Sequence, residues 1–161
     1  MLSIRRSFSL FAALAFAVAL FAAENDPFVG TWKLDLAKST YSSNHPKPRE
    51  LAMTIVDQGG NRLSTLNGTA ADGSPIKIEV AAPIKGGPTE VKGAPPHPSW
   101  DTVVSEYISP IANDFVYSKN GKEVARRHFK MAEDHQTVTV RFTGPGPQGQ
   151  TITQDDFWRR Q

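Results

Sequence analysis

From residue 24 onward, apolar and polar side chains alternate along much of the chain. Period two is the signature of a strand with one buried face. Trp32, Leu34 and Leu36 alternate with Lys33, Asp35 and Ala37. Leu51, Met53 and Ile55 alternate with Ala52, Thr54 and Val56. Ile76, Ile78 and Val80 alternate with Lys77, Glu79 and Ala81, and Val138, Val140 and Phe142 with Thr137, Thr139 and Arg141. Residues 62–66, 102–108, 114–119, 122–131 and 151–158 are five further candidates. The pattern predicts about nine strands and no sustained helix, with at most one short helical turn within 34–41.

Turn chemistry falls between these runs. Asn120-Gly121 is a strong hairpin signal, because a type I′ turn needs positive φ at both central residues. Gly59-Gly60-Asn61, Asp72-Gly73 and Glu133-Asp134 also read as turns. Three segments read as loops, 42–48, 85–99 and 144–150, because their prolines cannot donate to a central ladder. Gly68, Gly73 and Ile76 share their spacing with Gly144, Gly149 and Ile152, which predicts two similar wide turns. Short strands joined by short turns over this length predict an all-β, antiparallel, up-and-down barrel of about 8–10 strands.

The first 23 residues follow a different pattern. Arg5 and Arg6 precede an unbroken apolar run of about 14 residues, Leu10 to Ala23. A bilayer-spanning helix takes about 20 residues, so the segment reads as a signal peptide cleaved after Ala22 or Ala23. The expected organisation is a signal peptide over 1–23 and a barrel domain over 24–161. The expected location is periplasmic or secreted, with no stable membrane anchor after cleavage.

This division changes the meaning of the charge. The chain carries a formal charge of +2. Beyond Ala23 there remain 16 bases against 16 acids. The basic balance belongs to the export segment, and nucleic-acid binding loses its electrostatic support. The chain has no cysteine, which excludes disulfides, thiolate metal sites and a cysteine nucleophile.

Gly30-Thr31-Trp32-Lys33-Leu34-Asp35, followed by Ala37-Lys38-Ser39, resembles the opening of lipocalin-like proteins secreted by bacteria. Gly68-Thr69-Ala70-Ala71-Asp72-Gly73-Ser74-Pro75-Ile76 and Asn120-Gly121-Lys122-Glu123-Val124, leading to Arg126-Arg127, resemble later stretches of the same group. The resemblance implies a barrel whose first-strand tryptophan closes one end under an arginine from the last strand. Arg159 or Arg160 would fill that role. It also implies a small-molecule pocket, and it brings no activity with it.

The candidate chemistry is sparse. None of His45, His97, His128 and His135 has metal-ligand spacing, so no metal or cofactor is expected. No nucleophile elbow or phosphate loop occurs. Arg126-Arg127-His128 is the most informative cluster, because adjacent arginines on a strand point to opposite faces. A two-residue Asn120-Gly121 hairpin would place Tyr117 opposite Val124, Phe115 opposite Arg126 and Asp114 opposite Arg127. An inward arginine could meet a ligand carboxylate or phosphate; otherwise it pairs with Asp114 or is solvated. The expected ligand-binding residues are Trp32, Ile78, Tyr117, Arg126, Arg127, His128 and Phe142, with no catalytic residue. The expected function is non-catalytic binding of a small apolar or amphiphilic molecule by an exported lipocalin-like protein. The alternative is an envelope protein-interaction module whose barrel is filled. An enzyme would rest on Arg126, Arg127 and His128 alone.

Overall fold

All nine alternating segments form strands. The computed structural model describes residues 26–41, 47–94, 99–146 and 148–161. Among these residues eleven strands form one antiparallel sheet, and no helix occurs. They are β1 (Gly30–Leu34), β2 (Glu50–Asp57), β3 (Asn61–Thr69), β4 (Pro75–Pro83), β5 (Gly87–Pro88) and β6 (Glu90–Lys92). The second half holds β7 (Thr102–Ser109), β8 (Ala112–Lys119), β9 (Lys122–Met131), β10 (Thr137–Pro145) and β11 (Thr151–Arg160). The expected signal peptide over 1–23, His45, His97 and the prolines at 46, 95, 96 and 98 lie outside the described residues.

The sheet is a meander that curls into a nearly closed barrel. β1 to β4 pair in chain order, as do β7 to β11, and β11 pairs with β1. The two free edges, β4 and β7, meet at a seam. Ser105 Oγ donates to Pro83 O across it at 3.2 Å. One connection straps the seam: β5 pairs with β7, and β6 then returns to pair with β4. These two short strands lie within the region expected to be a loop. They are too short for alternation to reveal, and a barrel without open edges escapes edge-to-edge aggregation.

Alternation becomes inside and outside once the barrel closes. Trp32, Met53, Leu66 and Ile78 stand in register across four strands on the inner face. Met131, Val138 and Trp158 continue that face on β9, β10 and β11. The main core comprises Phe28, Trp32, Leu34, Met53, Ile55, Met131, Val138, Val140 and Trp158. A smaller cluster of Tyr117, Ala125, Phe142 and Ile152 lies towards the other end. Burying each large apolar side chain contributes about 1.5–3 kcal/mol.

The turns follow the sequence closely. Asn120 and Gly121 both have positive φ, as type I′ requires. The two wide turns share their hydrogen bonds: Ala70 N to Ser74 O with Gly73 N to Ala70 O, and Gly146 N to Gln150 O with Gly149 N to Gly146 O. Gly68 pairs with Ile76 as Gly144 pairs with Ile152, and both turns stand at the same end of the barrel.

The register of the β8–β9 hairpin differs from the simple expectation. Lys119 pairs with Lys122 and Ser118 with Glu123, but a bulge then shifts the ladder by one residue. Beyond it Tyr117 faces Ala125 instead of Val124, and Phe115 faces Arg127 instead of Arg126. Asp114 faces His128 instead of Arg127. A one-residue shift exchanges the cross-strand neighbours of every later side chain. Arg127 therefore shares the inner face with Phe115 and Tyr117, while Arg126 and His128 join Asp114 and Val116 outside.

Candidate functional site

Residues 26–29 seal one end of the barrel. Trp32 is fully buried, and its Nε1 donates to Phe28 O at 2.9 Å. The Arg160 guanidinium stacks 4.3 Å above the indole and donates to three carbonyls, those of Pro27, Val29 and His135. Gly30 makes this possible, because a Cβ there would stand 2.5 Å from Arg160 Nη1. The Gly-x-Trp spacing thus has a local mechanical reason, and Arg160 rather than Arg159 is the covering arginine. Arg159 instead pairs with Asp35 at 2.8 Å.

Beside this plug lies a buried ion pair. Arg62 donates through Nε and Nη2 to the two carboxylate oxygens of Asp26, and through Nη1 to Asn113 Oδ1 at 2.8 Å. Its guanidinium also lies 4.3 Å from the Phe28 ring centroid. Two charge-assisted bonds, an amide acceptor and an aromatic face together satisfy the buried cation.

The opposite end is built differently. There the inner face carries Ile76, Phe115, Tyr117, Arg127, Phe142, Ile152 and Gln154, placed by β4 and by β8 to β11. Ile76, Phe115 and nearby Ile78, Val80 and Phe129 are only half-buried although they point inward. Trp100 packs on Tyr117 with centroids 4.9 Å apart, and Phe115 meets Phe129 edge-on at 5.2 Å. Arg127 also points inward and is nevertheless exposed. Water therefore reaches the interior at its level. Its guanidinium lies 5.7 Å from the Tyr117 ring and 5.4 Å from the Phe142 ring. Among the described residues it forms no hydrogen bond or ion pair.

A polar network occupies the β11 side of the interior. Gln154 donates to Asp156 Oδ1 at 3.0 Å. Burial raises the pKa of the Tyr41 phenol above its ordinary value, and the charge and hydrogen bond of Asp156 raise it further.

The outer wall holds a separate charged cluster. Asp114, with only 9% of its side chain exposed, accepts from Arg126 at 2.5 Å and lies 2.6 Å from His128 Nδ1. Arg126 also binds Glu123 through two bonds of 2.9 Å and Glu106 at 2.8 Å. These contacts hold the arginine charged and lower the pKa of Glu123. Next to them Arg141 forms a two-bond pair with Asp155. A broad, open depression of about 810 Å³ runs over this wall, lined in part by Lys122, Arg126, His128, Arg141 and Thr143. The cations lining it are largely neutralised by adjacent carboxylates, so it offers little net charge to an anion.

The seven expected site residues do not form one surface. Arg127, Tyr117, Phe142 and Ile78 face the interior. Arg126 and His128 stand on the outer side of the same strand, and Trp32 lies in the closed plug. Asp114, the hub of the outer cluster, was visible in the sequence only as a partner for an arginine. Asp26, Arg62 and Asn113 gave no signal, because 36 and 51 residues separate the partners. Tyr41, Gln154 and Asp156 were also missed, since only closure of the barrel decides which residues of the last strand face inward.

No family model matches the chain, and no curated protein matches it. The nearly closed all-β barrel is compatible with a lipocalin-like fold.

Proposed function

We propose that this protein is an exported, lipocalin-like binding protein that takes a small, partly apolar molecule into the open half of its barrel without transforming it. The reading rests chiefly on one observation: inward-pointing apolar side chains at one end, Ile76 and Phe115 among them, remain only partly buried. A packed protein interior would bury them. Small-molecule sites are mostly apolar with few polar groups, and this lining has that composition. The covering of Trp32 by Arg160 supports the lipocalin-like assignment. Export rests on the Arg5-Arg6 start and the short apolar run.

Native mass spectrometry of the protein taken from its own envelope tests the reading. A small-molecule adduct that dissociates on mild activation is expected. A bare mass, together with no binding of fatty acids, alcohols or sterols by the same preparation, would overturn it. Val104 and Ile108, exposed on the outer face of β7, favour the second reading, an envelope interaction module. Under that reading the same preparation would carry a protein partner and no small molecule.

A further inference from the structure

We infer that Arg127 is the anchor for the head group of the ligand, and that the ligand is an amphiphile ending in a single carboxylate. This inference rests on the binding reading above and adds the chemical class.

The other described arginines all have acceptors. Arg62, Arg126, Arg141 and Arg159 each bind a carboxylate. Arg160 is spent on three carbonyls, and Arg49 donates to Ala71 O. Among the described arginines, Arg127 alone has no such partner. A solvated outer arginine in this state would need no explanation. Arg127 is different, because the bulge in β9 turns it into the barrel. Its neighbours in the cross-strand row are Gln154, Phe142, Phe115 and Ser105, all uncharged. Asp156, the carboxylate on the inner face of β11, accepts from Gln154 and forms no ion pair with Arg127.

The two rings beside Arg127 restrict the guanidinium while leaving its N–H groups unused. A planar fork of donors matches a carboxylate by two parallel bonds. One arginine without an ion-pair partner among the described residues matches one negative charge, whereas a phosphate monoester would bring close to two. The aromatic side chains around it, Phe115, Tyr117 and Phe142, suit the hydrocarbon tail of the same molecule. The depression on the outer wall lacks this combination, because its arginines are already paired.

The test is calorimetric titration of the full protein with dodecanoate, dodecanol, dodecylamine and dodecyl phosphate. The proteins are the wild type, Arg127→Gln, Arg127→Lys and the outer-wall control Arg141→Gln. The wild type should bind dodecanoate about tenfold to a hundredfold more tightly than dodecanol. Arg127→Gln should remove that preference and leave the dodecanol affinity unchanged. Arg127→Lys should keep part of the preference, because it keeps the charge and loses the fork. Arg141→Gln should bind as the wild type does. Equal affinities for dodecanoate and dodecanol, with Arg127→Gln silent, would overturn the anchor and leave the pocket standing. Tighter binding of dodecyl phosphate or dodecylamine would overturn the carboxylate assignment. Failure of all four to bind would overturn the binding reading itself, and the anchor with it.

Discussion

At the closed end of the barrel, Arg62 and Arg160 direct their donors onto Asp26, Asn113 and the carbonyls of Pro27, Val29 and His135. At the open end, Arg127 faces the same interior from mid-strand with two aromatic rings beside it and no acceptor among the described residues. The three side chains share chemistry and differ in purpose. A buried charge left without a partner costs several kcal/mol, so the closed end had to provide a complete set. The open end avoids that cost by admitting water. It is left with a partly exposed apolar lining, the feature on which the proposed binding function rests.

The largest expected effects lie at the closed end. Trp32→Ala should cost about 3–5 kcal/mol by loss of a fully buried indole. Asp26→Asn should cost a similar amount, about 3–5 kcal/mol, because it leaves Arg62 buried and uncompensated. Equilibrium denaturation by urea measures both. A loss below about 1 kcal/mol for both would mean that the plug does not hold the barrel together.

An intermediate effect is expected on the outer wall. Asp114→Asn removes the charge between Arg126 and His128 and should cost about 1–3 kcal/mol. Arg126 retains Glu123 and Glu106, which is why the cost stays below that of Asp26→Asn. Equal costs for the two substitutions would erase the distinction between a sealed interior and a solvated wall.

Most of the fold was legible from alternation, because each long strand buries one face and leaves the other in water. Gly30, Trp32, Asn120 and Gly121 carried local information for the same reason: each acts within a few residues of itself. What alternation could not reveal was the extra residue near Val124. A bulge leaves the pattern of residue types intact and changes which neighbours they meet. It decided that Arg127 rather than Arg126 lies beside Tyr117 and Phe142. The Asp26–Arg62 pair joins the segment before β1 to a distant strand, so only closure of the barrel brings it together. β5 and β6 are held by pairing across the seam, and a Gly-Pro pair has no strand signature of its own.

The smallest expected effect concerns acid. Asp35 is held below its ordinary range chiefly by the hydrogen bond from Arg159, and it caps the turn at Ala37 and Lys38. Asp155 is held low chiefly by the hydrogen bond from Arg141. A carboxylate whose folded pKa is depressed stabilises the fold above its unfolded value and loses that contribution as pH falls through the folded value. Below about pH 4 the 35–39 turn should therefore loosen before the closed end does. Amide protection factors, corrected for the intrinsic rate at each pH, should fall at Lys38 and Ser39 in acid and stay high at Met131 and Val138. A uniform fall in protection would contradict the separation of the two ends.

The absence of cysteine allows the most direct test of an interior that is sealed at one end and open at the other. Single substitutions Ile76→Cys and Arg127→Cys place a thiol on the inner face of the open half, and Met131→Cys and Val138→Cys place one in the closed core. The rate of native-state labelling by a small water-soluble thiol reagent is the observable. The open-half thiols should label at nearly the rate of the unfolded chain, and the core thiols only through global unfolding. Equal protection at all four positions would show a barrel filled from end to end and would contradict this account.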